Sequence, residues 1–213
     1  MVNTISMVLG ISTRLYKLIL KIWVKEVSGL ENLPKERGFI CAANHGSYLD
    51  DIIMPVFVIR HLHKFVHVYC NDSYMRKGLL KKWLEHGEVI PIRVYKSKEQ
   101  KEINEKAFQA ALGYLKKGEI VGIFPEGHRT SDGNLQKGHL GVSRLAIESK
   151  APIVPIGIIG SYDVWPKGKK FPGLGRCKVK IGKPLYFKTD DKEHIARTVM
   201  KDIAKLTGQE YNH

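Results

Sequence analysis

The chain has 213 residues, 35 Lys and Arg against 21 Asp and Glu, and a formal net charge of +14. That length is enough to bury one sizeable core. The three cysteines, Cys41, Cys70 and Cys177, are widely spaced and include no C-x-x-C pair, which excludes a disulfide scaffold and a structural zinc knuckle and fits a reducing compartment.

In chain order, residues 1–13 are uncharged and mostly apolar, after which Arg14, Lys17, Lys21 and Lys25 recur at helical spacing. At 100° per residue these four cations fall within about 80° of one another. Leu15, Leu18, Ile19, Ile22 and Trp23 cover a broad face beside them. This pattern predicts an amphipathic helix over 4–22 lying in a membrane interface, its lysines reaching the headgroups. No charge-free window of 18 residues supports a transmembrane span. The positive charges follow the apolar stretch, the reverse of a signal peptide. Beyond it, short apolar runs near 24–27, 38–43, 65–70, 88–92, 120–124, 153–159 and 177–182 read as strands. Helical periodicity is found near 50–60, 74–85, 98–116, 138–149 and 191–206. The helix at 98–116 carries Ile103, Ala107, Ala111 and Leu115 on one face, with Ser97 and Gln100 spaced as a capping box. The last carries Ile195, Val199, Ile203 and Leu206 at helical spacing.

This alternation predicts a single α/β domain, a mixed and mostly buried sheet flanked by helices, over 25–213, preceded by the interfacial helix in 1–24. The Pro/Gly/Lys-rich stretch Trp165 to Gly173 reads as a surface loop. A second surface, Tyr74 to Trp83, sets Arg76, Lys77, Lys81 and Lys82 beside Leu79, Leu80 and Trp83. The charge balance calls for an anionic partner. No helix-turn-helix, zinc-finger, RRM or KH signature is present, so a membrane bearing anionic phospholipid is expected and nucleic acid is not.

Two loops carry chemistry. Asn44-His45-Gly46-Ser47-Tyr48-Leu49-Asp50 directly follows the apolar run Phe39 to Ala43, and strand ends of this kind face the crevice where α/β folds bind ligands. Five residues on a straight helix rotate by about 140°, so His45 and Asp50 meet only if the chain turns between them. Gly46 and Ser47 suit that turn, with Ser47 as a helix cap. A second His-x4-Asp, His67 to Asp72, lies within a strand-like run, where the two side chains should not meet. The other loop, Phe124-Pro125-Glu126-Gly127-His128-Arg129, follows the run Ile120 to Phe124 and delivers Glu126 and Arg129 to a strand end. The arginine's planar fork suits a phosphate.

Together these two loops resemble the conserved blocks of the glycerolipid acyltransferase family, whose best-known members are the 1-acyl-sn-glycerol-3-phosphate acyltransferases. Gly87-Glu88-Val89-Ile90-Pro91-Ile92-Arg93 matches the family's intervening block in spacing, although the residue before the arginine, often acidic in the family, is Ile92 here. Ile153-Val154-Pro155-Ile156-Gly157 matches its proline-centred block.

The resemblance implies transfer of a fatty acyl group from a coenzyme A or acyl carrier protein thioester to the free hydroxyl of a lysophospholipid, most often lysophosphatidic acid giving phosphatidic acid. His45 is then the general base and Asp50 its orienting carboxylate. The substrate hydroxyl attacks directly, without an enzyme nucleophile. Arg93, Glu126, Gly127, Arg129, Lys137 and Pro155 are implied on the acceptor side. Backbone amides near His45 are expected to form an oxyanion hole. No metal or organic cofactor is implied, and the expected location is the cytoplasmic face of a membrane, peripheral or monotopic. Two other classes remain: a thioester hydrolase with the same His/Asp pair, and a non-catalytic basic lipid-binding protein, which needs neither residue.

Overall fold

A computed structural model describes residues 21–75 and 78–213. Seven strands form one sheet: β1 (Val24–Ser28), β2 (Phe39–Ala43), β3 (Val66–Asn71), β4 (Ile90–Ile92), β5 (Ile120–Ile123), β6 (Ile153–Ile159) and β7 (Cys177–Ile181). The helices are α1 (Asp50–Leu62), α2 (Leu79–His86), α3 (Gln100–Lys116), α4 (Gly141–Ser149), α5 (Ser161–Val164) and α6 (Lys192–Thr207). The strand order is β1-β7-β6-β2-β5-β3-β4. From β6 through β4 every pair is parallel, β7 runs antiparallel to β6, and β1 pairs parallel with β7.

The sheet is buried on both faces, which explains why β2 is a continuous apolar run. Phe39, Cys41 and Ala43 point into one core with Ile53, Met54, Phe57 and Val58 of α1. Ile40 and Ala42 point into the other, with Phe108 and Leu112 of α3, Leu145 of α4 and Ile195 and Val199 of α6. The two-residue period of β2 thus serves both layers. Helix α6 starts where the Asp191 side chain accepts from the His194 N–H at 3.0 Å, an N-cap, and ends at Gly208 in the left-handed region (φ 75°).

All seven strands agree with the sequence reading, but some local details differ. Ser97 does not cap α3: its hydroxyl accepts from Arg93, while Gln100 donates to the Arg93 carbonyl. The expected strand at 88–92 is confined to Ile90–Ile92, preceded by Glu88 at φ 48°. The segment 74–85 divides into a 3-10 turn, Asp72–Met75, and α2. Helix α5, just before the Trp165 loop, had no sequence signal. The expected amphipathic helix lies almost wholly outside the described residues, as do Arg76, Lys77 and the side chains of Leu79, Leu80 and Trp83. Among the described residues no helix is long and apolar enough to cross a membrane.

Candidate active site

Three parallel neighbours, β6, β2 and β5, end on the same edge of the sheet, and their C-terminal loops build the site. Asn44 extends β2 by imitation. Its side chain donates to the Ile158 carbonyl at 2.9 Å and accepts the Ile158 N–H at 2.7 Å, so it occupies a strand position beside β6. His45 follows, 7% exposed. Its N–H donates to Glu126 Oε1 at 2.8 Å, and its carbonyl accepts the Thr130 N–H at 2.9 Å. Its ring stacks on Phe124, with centroids 3.9 Å apart and planes 11° apart. The β5 loop therefore grips both the backbone and the imidazole face of His45.

Asp50 is fully buried as the first residue of α1. Its Oδ2 accepts the Gly46 and Ser47 N–H groups at 2.7 and 2.6 Å and lies 3.5 Å from His45 Nδ1. The turn that brings His45 and Asp50 together is thus closed by Asp50 itself. Nδ1 faces this carboxylate and leaves Nε2 as the nitrogen available to take a proton. Nε2 lies 3.7 Å from Asp51 Oδ1, and Asp51 Oδ2 forms an ion pair with Arg129. The Arg129 guanidinium sits 4.2 Å above the Tyr48 ring, and its buried Nε has no hydrogen-bond partner. Burial works against its charge, and the charge and hydrogen bond of Asp51, with Tyr74 and Tyr48, together outweigh burial and hold Arg129 above its ordinary value.

Ser47 is not the helix cap proper and is not placed as a nucleophile. Its hydroxyl donates to the Trp165 carbonyl at 2.9 Å and accepts the Leu49 N–H at 3.0 Å, a turn closed one step before the helix. Burial pushes Cys70 and Cys177 up to about 11 and Cys41 further still, so none offers a thiolate near neutral pH.

The expected oxyanion hole is not found in the amides around His45. Those of His45, Gly46, Ser47, Tyr48 and Leu49 are all engaged: by Glu126, by Asp50 twice, by the Trp165 carbonyl and by Ser47 Oγ. Glu126 also differs from the expectation. It is 1% exposed, and its second oxygen accepts the Gln136 N–H at 2.8 Å, so it fastens two loops together instead of facing an acceptor. Burial raises it to about 7, against the opposing pull of the Gln136 and His45 N–H groups. Gly127 shapes the turn: its N–H donates to the Phe124 carbonyl, φ is 73°, and a Cβ would meet the His139 ring at 3.0 Å. Pro155 is buried inside β6, its ring over Gly182, where it supports the strand that receives Asn44. Lys137 is exposed in the loop after Gln136.

Arg93 lies at the end of β4, three strands from β2. Its guanidinium pairs with Asp72 at 2.7 Å and with Glu99 at 3.0 Å. The hydrogen bond to Asp72 leads the causes holding it above its ordinary value. His67, as expected, does not meet Asp72. It is buried against Tyr114, with one ring nitrogen 2.7 Å from Glu119 and the other 3.0 Å from the Glu88 carbonyl. Sequence reasoning missed Phe124 as the ring support and Asp51 as the partner of Arg129. Asp51 left one trace, its place next to Asp50 at a helix start.

Comparison with known proteins identifies the family. The Acyltransferase family profile matches residues 25–159. A 1-acyl-sn-glycerol-3-phosphate acyltransferase of Bacillus subtilis (strain 168) is 28% identical over 162 residues, covering 76% of this chain and 73% of that protein. One of Pseudomonas aeruginosa (strain PAO1) is 30% identical over 176 residues, covering 80% of this chain and 63% of that protein. A chloroplastic relative from Brassica napus, BAT2, is 26% identical over 81% of this chain but only 51% of its own length. The crystal structure of the 1-acyl-sn-glycerophosphate acyltransferase PlsC from Thermotoga maritima shares the fold, with a TM-score of 0.71 and 21% identity over 98% of this chain and 81% of that one. With a histidine–aspartate pair at a strand end and the profile spanning most of the sheet, this chain belongs to the acyltransferase family.

Proposed function

We propose that this acyltransferase moves a fatty acyl group from a coenzyme A or acyl carrier protein thioester to the free hydroxyl of 1-acyl-sn-glycerol 3-phosphate, giving phosphatidic acid at a membrane surface. The observation that carries this reading is a base and a cation fixed side by side. His45 Nε2 lies 3.7 Å from the carboxylate that holds Arg129, on the edge where β2 and β5 end. The acceptor's phosphate takes the Arg129 guanidinium, and its hydroxyl then lies near Nε2. As the hydroxyl oxygen attacks the thioester carbonyl, its proton passes to His45. Asp50 holds the ring and stabilises the imidazolium. Collapse of the tetrahedral intermediate breaks the carbon–sulfur bond, and the imidazolium returns the proton to the leaving thiolate. The ester and the free thiol are the products, with no acyl-enzyme. Arg93 and Lys137 serve the acceptor side at longer range, Glu126, Gly127 and Pro155 hold the loops, and no metal or organic cofactor takes part.

The test uses purified protein in detergent or vesicles, each donor in turn, a panel of phosphorylated and neutral acceptors, and mass spectrometry of the products. Phosphatidic acid formed only when lysophosphatidic acid is present is the expected result. Thioester consumption at equal rate with and without acceptor would make the chain a hydrolase. Vesicle binding without turnover of either donor would leave only lipid binding.

A further inference from the structure

Between α5 and β7 the chain runs through a long loop. Residues 166–176 carry four cations, Lys167, Lys169, Lys170 and Arg176, and no acid. All four cations are exposed. At the tip Phe171 is 70% and Leu174 100% exposed. Single exposed hydrophobics are ordinary on protein surfaces. Here two occupy one loop, set among cations.

This tip does not fold back to cover itself, because its root is fastened. The Trp165 indole N–H donates to the Lys169 carbonyl at 2.9 Å, and the Gly173 N–H donates to the Val164 carbonyl at 2.8 Å. Trp23 Nε1 donates to the Gly173 carbonyl at 3.1 Å, and Arg176 donates to the Lys21 carbonyl at 2.8 Å. The start of β1 and the loop root therefore form one unit, and the exposed Ile22 stands on it. The same root touches the catalytic loop: the Trp165 carbonyl accepts from Ser47 Oγ and the Tyr48 N–H.

We propose that the loop 166–176 is a membrane contact, inserting Phe171 and Leu174 into the interface of a bilayer bearing anionic headgroups while Lys167, Lys169, Lys170 and Arg176 engage those headgroups. Charge complementarity selects the occupant. The loop is uniformly cationic, its lysine stems extend beside an apolar tip, and that combination suits the headgroup–acyl boundary. Leu174 has no ring to stack on a base, which disfavours nucleic acid. Two side chains on one loop fall well short of the roughly 1,000 Å² needed for a stable protein interface. The contact sets the His45 loop at the bilayer surface, where a lipid acceptor enters. It rests on the reading of the acceptor as a membrane lipid.

The test uses the full chain. A Phe171→Asp/Leu174→Asp double variant and the parent are compared for sedimentation with vesicles of 30% phosphatidylglycerol in phosphatidylcholine, and for turnover of a short-chain, monomeric lysophosphatidate. At least a fivefold loss of vesicle binding is expected, with turnover of the monomeric acceptor within twofold of the parent. In parallel, Leu174→Cys carrying a nitrobenzoxadiazole label should shift to the blue on these vesicles and be quenched by nitroxide-labelled lipid. Unchanged sedimentation of the double variant, or a label that stays water-exposed on bound protein, overturns the proposal. Failure of the parent itself to turn over the monomeric acceptor would count against the functional reading, and the vesicle and label results would still decide the loop.

Discussion

Asp50 has two separable tasks, and substitution tells them apart. Its Oδ2 accepts two buried N–H groups, at 2.7 and 2.6 Å, and stands 3.5 Å from His45 Nδ1. Asp50→Ala removes the acceptor and leaves both donors unsatisfied. At about 1–3 kcal/mol for each buried orphan, the loss is about 2–6 kcal/mol of stability. Asp50→Asn keeps an acceptor oxygen for the same two donors and places its amide where Oδ1 now has no hydrogen-bond partner. Its stability should therefore change much less than that of the Ala variant. The charge, however, is gone. Two unit charges 3.5 Å apart attract by about 5 kcal/mol at an effective dielectric constant near 20, and this attraction exists only once His45 is protonated, in the transition state. The Asn variant should lose about 10³-fold or more in kcat. Urea denaturation measures the first effect, and initial rates at saturating donor and acceptor measure the second. An Asn variant within tenfold of the parent's kcat would reduce Asp50 to a loop clasp. An Ala variant as stable as the parent would refute the clasp.

His45→Ala should lower kcat by about 10²–10⁴ with acceptor KM little changed; activity within tenfold of the parent would remove it from the mechanism. Arg129→Ala should raise acceptor KM by about 10- to 100-fold and leave donor KM alone. Arg93→Ala and Asp72→Asn should share a smaller rise, because Asp72 holds the Arg93 guanidinium; a rise in donor KM instead would move these arginines to the thioester side. Glu126 gives a pH signature: burial raises it from 4.5 to about 7 in the folded state, so the stability it contributes is full below pH 4.5 and is lost as pH rises to about 7. Relative to Glu126→Gln, the parent should lose on the order of 3 kcal/mol across that window, and parallel stability–pH curves would refute the shift. His67→Gln should lower stability and leave kcat within a few-fold, since His67 pairs with Glu119 at the other end of β3 from the site; a catalytic loss would place the active site on the wrong strand.

Local sequence determined the strand, the turn and the pair. Phe39 to Ala43 is apolar throughout because both its faces are buried, and Gly46 and Ser47 mark the turn that lets His45 reach Asp50. The second His-x4-Asp, His67 to Asp72, was legible for the same reason: a histidine inside a strand does not face a residue five positions on if the strand continues. The family blocks set Glu126 and Arg129 on the acceptor side, but did not show that Glu126 is tied down by two N–H groups or that Arg129 pairs with Asp51. Tertiary structure decided that. The strand order sets β2 between β6 and β5, so Asn44 meets Ile158, 114 residues away, and the His45 N–H meets Glu126, 81 residues away. A two-residue apolar period says that a strand is buried and is silent about which strands lie beside it. The Glu126 and Trp165 partners of the His45 and Tyr48 amides, the Phe124 ring beneath the imidazole, and the pairing of Arg129 with Asp51 and of Arg93 with Asp72 all depend on that order. Hydrogen bonds and ion pairs act over a few ångströms, and only the closing of the sheet brings such distant residues within that reach.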